Sequence, residues 1–135
     1  MPNYYIAVQS FLHQIDCSCP DKEHSDTVKI DQGDIISVYY ERTHTTVDGW
    51  FVLIEVNQRR FYISINDLER YYSQGFLFSG LDIELQLNYL KFHIDESLDH
   101  ADEGKFKETS KKWTEAKMYN EKLEAAAKSS MEVSL

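Results

Sequence analysis

Ile83-Glu84-Leu85-Gln86-Leu87-Asn88-Tyr89-Leu90-Lys91-Phe92-His93-Ile94-Asp95-Glu96-Ser97-Leu98-Asp99 is the stretch that decides the fold. Within it Ile83, Leu87, Leu90, Ile94 and Leu98 step by 4, 3, 4 and 4 residues, the spacing of one helix face. Leu81, Leu85 and Phe92 widen that face. Burying a large aliphatic side chain is worth about 2 kcal/mol, so leaving the whole stripe in water would cost more than a domain's usual net stability. The stripe is therefore predicted to be buried. Ser79 and Asp82 have the spacing of a capping box, in which each side chain satisfies a free backbone N–H. The helix is thus predicted to start after Ser79 and to stop near His100-Ala101.

Beyond the stop, Asp102-Glu103-Gly104 offers an N-cap and acids suited to the positive end of a second helix. Phe106, Thr109, Trp113, Ala116, Asn120 and Leu123 keep helical spacing with a thinner apolar face, which predicts a helix from about Lys105 to about Ala127. Two helices joined by a short turn make an antiparallel hairpin over residues 81–128. Small and polar residues after Lys128 predict a frayed tail over 129–135.

Upstream the period changes from helix to strand. Tyr4 to Leu12 is rich in β-formers and reads as one long strand. Asp16 to Asp26 is a polar loop. Thr27 to Ile30 alternates, Asp31-Gln32-Gly33-Asp34 is a turn by composition, and Ile35 to Tyr40 is a strand. Trp50 to Val56 is so apolar that both of its faces must be covered. Asn57 to Arg60 is a tight turn, Phe61 to Ser64 a returning strand, and Ile65 to Leu68 one helical turn. Residues 73–80 form a connector too apolar for a solvated linker. The fold class is α+β: a small β-barrel over residues 1–72, then the helical hairpin packed on it.

The order of the N-terminal part resembles an SH3-like barrel over roughly residues 4–70. The resemblance rests on Val28 to Val38 with its Gly33-Asp34 turn, on Asp48-Gly49-Trp50-Phe51, and on Tyr62-Ile63-Ser64. Peptide-binding members carry aromatic residues in the first long loop and a Pro-Tyr pair at the closing turn. Here that loop has no aromatic residue, and Ser64 and Asp67 stand in place of the pair. Polyproline recognition is therefore not implied. In this barrel Phe51 and Leu53 would point inward, leaving Trp50, Val52 and Ile54 as an outer apolar strip. Ile83, Leu87, Leu90, Ile94, Leu98 and Phe106 are predicted to cover it.

A second resemblance covers residues 88–116. Ile94-Asp95-Glu96-Ser97-Leu98-Asp99, followed by Asp102 and Phe106, is similar to an IDEAL domain, a short helical module of small intracellular proteins of Gram-positive bacteria and their phages. Ser97 replaces the usual alanine, and Thr109 stands where a larger apolar residue is common. The resemblance implies a bacterial or phage cytoplasmic protein and a contact module without catalysis.

Composition narrows the function classes. The 135 residues carry a formal net charge of −9 with 42% hydrophobic residues, enough apolar content for a core. Such a charge disfavours direct binding to nucleic acid. It suits a partner protein with a basic surface. No signal peptide and no apolar stretch near the ~20 residues of a membrane span are visible, and two cysteines without a signal fit a reducing compartment. No phosphate-cradling glycine loop, nucleophile elbow or His-Glu-x-x-His occurs, so neither catalysis nor a cofactor is predicted.

Asp95, Glu96, Asp99, Asp102 and Glu103 form an acidic cluster at the hairpin bend, and with Trp113 they are the candidate partner-binding residues. The expected role is a protein–protein interaction module, an adaptor or regulator. The alternative is an acidic inhibitor or nucleic-acid mimic that occupies a cationic site on a host or defence protein. The apolar stripe is a candidate homodimer surface if the barrel does not cover it. His13, Cys17, Cys19 and His24 fall within twelve positions and are metal candidates, for zinc, although Cys-x-Cys is not the usual knuckle; a divalent-metal site at the acidic bend is disfavoured, because the run lacks the glycine and regular oxygen spacing of a calcium loop. Tyr39, Tyr40, Trp50, Phe61 and Tyr62 could form an aromatic platform or serve as packing.

Overall fold

The computed structural model describes residues 3–15, 26–45 and 49–133, of which 40–45 and 130–133 are described by their backbone. The chain forms two compact units, Met1–Phe78 and Ser79–Leu135, with the boundary inside the apolar connector. The fold is α+β: a mostly antiparallel sheet followed by helices.

In the first unit the elements are β1 (Asn3–Ala7), β2 (Phe11–Ile15), β3 (Asp26–Ile30), β4 (Ile35–Thr45), β5 (Gly49–Val56), β6 (Arg59–Ser64) and α1 (Ile65–Ser73), followed by β7 (Leu77–Ser79) at the boundary. Five strands make a sheet in the order β6-β5-β4-β1-β7, while β2 and β3 form a separate two-stranded ribbon. Among the described strands the five-stranded sheet stays open, ending on β6 and β7, so the ring closure of a barrel is not formed.

The long first strand divides into β1 and β2. At the break the Ala7 N–H donates to the Asp34 carbonyl at 2.9 Å, the Gly33 N–H donates to the Ala7 carbonyl at 2.7 Å, and the Val8 N–H donates to the Phe76 carbonyl at 2.9 Å. These partners come from distant parts of the chain, and no glycine or proline marks the bend locally. Gly33 sits at φ 93, the left-handed backbone that the Asp31–Asp34 turn requires. β5 and β6 are joined through Asn57 and Gln58, both at positive φ (52 and 67), a two-residue turn whose twist matches its strands.

The register sets which face of β5 is buried. Ile54 lies opposite Val38 on β4 and Phe61 on β6, and Val56 lies opposite Ile36. All of these side chains belong to one buried core, which Val28 and Ile30 of the ribbon and Tyr71 of α1 also enter. Val52 and Ile54 therefore point into the core, which corrects the expectation that they form an outer strip. Phe51 and Leu53 are half-buried on the opposite face, and Trp50, at the start of the strand, is 53% exposed. β5 is apolar on both faces, so its alternation could not reveal which one is inward.

α1 is longer than one turn. It carries Tyr71 into the core, where the Tyr71 hydroxyl and His13 Nδ1 are hydrogen-bonded at 2.8 Å. Beyond the end of the helix lies Gly75, φ 81, whose N–H donates to the Tyr72 carbonyl at 3.1 Å, while the Phe76 N–H donates to the Tyr71 carbonyl at 3.0 Å. This pair of bonds is a Schellman cap.

The second unit is a pair of helices, α2 (Gly80–Asp99) and α3 (Glu103–Val133), that pack against each other. The capping box is present: Ser79 Oγ accepts from the Asp82 N–H at 3.2 Å, and Asp82 Oδ2 accepts from the Ser79 N–H at 2.9 Å. α3 extends through residues 129–133 of the segment read as a frayed tail. Ala125-Ala126-Ala127-Lys128 and the residues after it contain neither glycine nor proline to stop it.

The buried line of α2 is Ile83, Leu90 and Ser97, in steps of seven, with Leu87 and Ile94 half-buried beside it. Leu98, expected to end the buried stripe, is 59% exposed. Leu81, Leu85 and Phe92, expected to widen it, are also exposed, at 65%, 58% and 62%. The reason is angular. At about 100° per residue these three positions fall close to the opposite side of the helix from Ile83, Leu90 and Ser97.

Candidate functional site

The bend between α2 and α3 is built by backbone geometry. The Ala101 N–H donates to the Leu98 carbonyl at 3.2 Å and the Asp102 N–H donates to the Ser97 carbonyl at 2.8 Å, a Schellman cap like that of α1. Ala101 takes the left-handed position at φ 49. Asp102 then caps α3: its Oδ1 accepts from the Lys105 N–H at 3.0 Å, and its carbonyl accepts from the Phe106 N–H at 3.0 Å. One residue thus closes one helix and opens the next.

Ser97 is 1% exposed, and its Oγ donates to the Ile94 carbonyl at 2.7 Å. Its small side chain leaves room for the returning chain. Around it Ser97, Leu98, Ala101, Asp102, Glu103 and Phe106 line a hollow of about 210 Å³. Its lining is mostly apolar and includes two acidic residues, Asp102 and Glu103. The dimensions suit one long side chain, with methylenes against Leu98 and Phe106 and a cationic head at the acids.

The acidic cluster divides by role. Asp95 and Asp99 are exposed and take part in no ion pair among the described residues. Glu96 is tied to the Lys105 ammonium across the bend. That hydrogen bond, with the attraction of the charges, holds the Glu96 carboxyl below the usual range and raises Lys105 above its own. Glu103 is 3.4 Å from the Lys107 ammonium, one turn along the same helix, and Asp102 is committed to its capping bonds. Of the five acids, Asp95 and Asp99 are the two uncommitted ones. Trp113 lies two turns beyond Phe106, half-buried, with the Lys117 ammonium 5.2 Å from its ring centre. It is not part of the bend.

Leu98, expected in the buried stripe, is instead exposed and lines the hollow at the bend. The seven-residue steps of Ile83, Leu90 and Ser97 were the signal for it, because they end the buried line one residue earlier.

Other candidates are dispersed. Of the metal set only His13 is described, and Cys17, Cys19 and His24 lie outside the described residues. His13 is 4% exposed, stacked 5.8 Å from Phe61 and bonded to Tyr71, a core position. The aromatic set is split by the sheet. Phe61 is in the core, Tyr39 and Tyr62 flank Leu53 in one cross-strand row on the other face, and the Tyr40 side chain lies outside the described ones. Arg60 sits 5.0 Å above the Tyr39 ring and holds Glu55 at 2.9 Å. The first unit also has an apolar groove of about 360 Å³ beside Tyr5, Val38, Val52, Leu68, Tyr72 and Leu77. No described helix is long and apolar enough to cross a membrane.

Comparison with known proteins adds no relative: no family model, curated protein or solved structure matches the chain.

Proposed function

We propose that the protein is a non-catalytic protein–protein interaction module, an adaptor or regulator that receives a basic side chain of its partner at the α2–α3 bend. The observation that carries this reading is the hollow lined by the exposed Leu98 together with Asp102, Glu103 and Phe106. A net charge of −9 favours a basic partner over nucleic acid. The similarity of residues 88–116 to an IDEAL domain agrees with a contact role in the cytoplasm of a Gram-positive bacterium or its phage. In the first unit, the Asp31–Asp34 turn, the β4-β5-β6 meander and the core shared with β2-β3 support an SH3-like arrangement at the level of topology.

The test is affinity capture from a Gram-positive lysate with the full chain and with Leu98→Ser/Glu103→Lys. The expected result is one dominant partner with a basic surface, depleted at least tenfold by the double substitution. Equal capture by both forms would overturn the reading. If the captured complex dissolves steeply with salt and is displaced by duplex DNA, the protein is instead an acidic mimic that occupies a nucleic-acid site.

A further inference from the structure

α2 carries a second seam that nothing in the bend uses. Leu81, Leu85, Asn88, Phe92, Asp95 and Asp99 step by 4, 3, 4, 3 and 4 residues, the alternation of a coiled-coil contact line. At about 100° per residue they fall within a strip some 80° wide, on the opposite side of the helix from Ile83, Leu90 and Ser97. All six are exposed; Leu81, Leu85 and Phe92 are 65%, 58% and 62% exposed, and Tyr89, at the edge of the strip, is 60% exposed. A row of large apolar side chains left open is a contact signal, where a single one would not be.

The order of residues along the seam selects the occupant. Its N-terminal half is apolar, Asn88 stands at a single seam position, and its last two positions are acidic. In a parallel pair of copies Asp95 would face Asp95 and Asp99 would face Asp99. In an antiparallel pair centred on the seam, Asp99 and Asp95 would face Leu81 and Leu85, burying carboxylates against leucine. Each copy also carries a net charge of −9. A second copy therefore fits poorly in either direction. A helix with apolar residues opposite Leu81, Leu85 and Phe92 and Lys or Arg opposite Asp95 and Asp99 fits throughout, with Asn88 fixing the register.

We infer that the outer seam of α2 docks an amphipathic α-helix of a partner protein whose one end is apolar and whose other end is basic. This rests on the reading of the protein as an interaction module and specifies a second contact of the same partner class, separate from the bend hollow.

The probes are fluorescently labelled 21-residue synthetic helices with leucine at the three seam positions opposite Leu81, Leu85 and Phe92, asparagine opposite Asn88 and lysine opposite Asp95 and Asp99. One places the lysines at the C-terminal end and one at the N-terminal end. A third peptide carries glutamate in place of lysine. Anisotropy titrations with the full chain should show that one lysine peptide binds at least tenfold tighter than the glutamate peptide. Leu85→Ser/Phe92→Ser should weaken it at least tenfold. Asp95→Lys/Asp99→Lys should reverse the preference between the lysine and glutamate peptides, a result that misfolding would not produce. Equal binding of all three peptides, or titrations indifferent to both double substitutions, would overturn the inference. So would a concentration-dependent dimer of the full chain, seen by sedimentation and abolished by Leu85→Ser/Phe92→Ser. The captured partner separates the two readings. If Leu98→Ser/Glu103→Lys releases it and Leu85→Ser/Phe92→Ser does not, the seam inference fails while the bend reading stands.

Discussion

The Asp102 N–H lies 2.8 Å from the Ser97 carbonyl, and this bond joins the end of α2 to the beginning of α3. It completes a helix cap whose left-handed residue is Ala101 at φ 49. The same cap ends α1, but there the left-handed residue is Gly75 at φ 81. An L-residue with a Cβ is disfavoured in that conformation by roughly 1–2 kcal/mol. Ala101→Gly is therefore expected to stabilise the chain by about 1 kcal/mol, and Ala101→Val to destabilise it. Urea unfolding of the three forms, compared at constant slope, checks both signs.

Ser97 sits where the returning chain comes close. Ser97→Leu would force extra methylenes into a site with 1% exposure and should cost about 1–3 kcal/mol. Ser97→Ala removes only the hydroxyl's bond to the Ile94 carbonyl, which lies within its own helix, and should change stability by less than about 1 kcal/mol. Thermal unfolding followed at 222 nm orders the two variants. A Ser97→Ala form as unstable as Ser97→Leu would contradict the steric account.

The Glu96–Lys105 pair gives the bend a pH dependence of known sign. Glu96 has an ordinary value of 4.5, and its hydrogen bond with Lys105 lowers it in the folded chain. The pair's stabilisation through Glu96 is therefore complete above that ordinary value and lost as pH falls through the lower folded value. Lys105 gives the opposite limit: its contribution is lost as pH rises through a value raised above 10.5. Both groups are open to solvent, so salt should weaken the effect. Glu96→Gln should flatten this site's part of the stability profile between about pH 6 and about pH 3. Unfolding midpoints across that interval, at low and high salt, provide the comparison.

Tyr71 and His13 form a buried polar contact in the first unit. The Tyr71 ring lies 4.6 Å from that of Phe11 and 6.2 Å from that of Phe76, so Tyr71→Phe would keep the packing. It would remove the hydroxyl bonded to His13 Nδ1 inside the core. Loss of a partner for a buried polar group should cost about 1–3 kcal/mol. Burial also raises the Tyr71 hydroxyl above its ordinary value of 10.0. Its stabilisation is thus present below that value and lost as pH rises through the higher folded one, a loss that Tyr71→Phe should abolish. Chemical denaturation near neutral pH and above pH ~10 tests both statements.

The sequence by itself determined the features that depend on neighbours along the chain. The change of period from strand to helix, the Ser79–Asp82 capping box, the Asp31–Asp34 turn and Asp102 as the start of α3 each rest on residues within about four positions of one another. Such contacts form from local spacing alone. The acids at the bend were visible for the same reason.

Tertiary structure alone decided three other matters. It divided Tyr4–Leu12 into two strands, because the bonds that bend the chain there come from Asp34, Gly33 and Phe76. It turned Val52 and Ile54 inward, because both faces of β5 are apolar and only pairing with Val38, Phe61 and Ile63 distinguishes them. It separated the apolar residues of α2 into a buried line through Ile83, Leu90 and Ser97 and an open seam through Leu81, Leu85 and Phe92. A helix with large side chains around most of its circumference has no unique inner face until a partner helix chooses one. Here that choice falls on the line ending at Ser97, where a small side chain and a carbonyl bonded to Asp102 let the chain turn back.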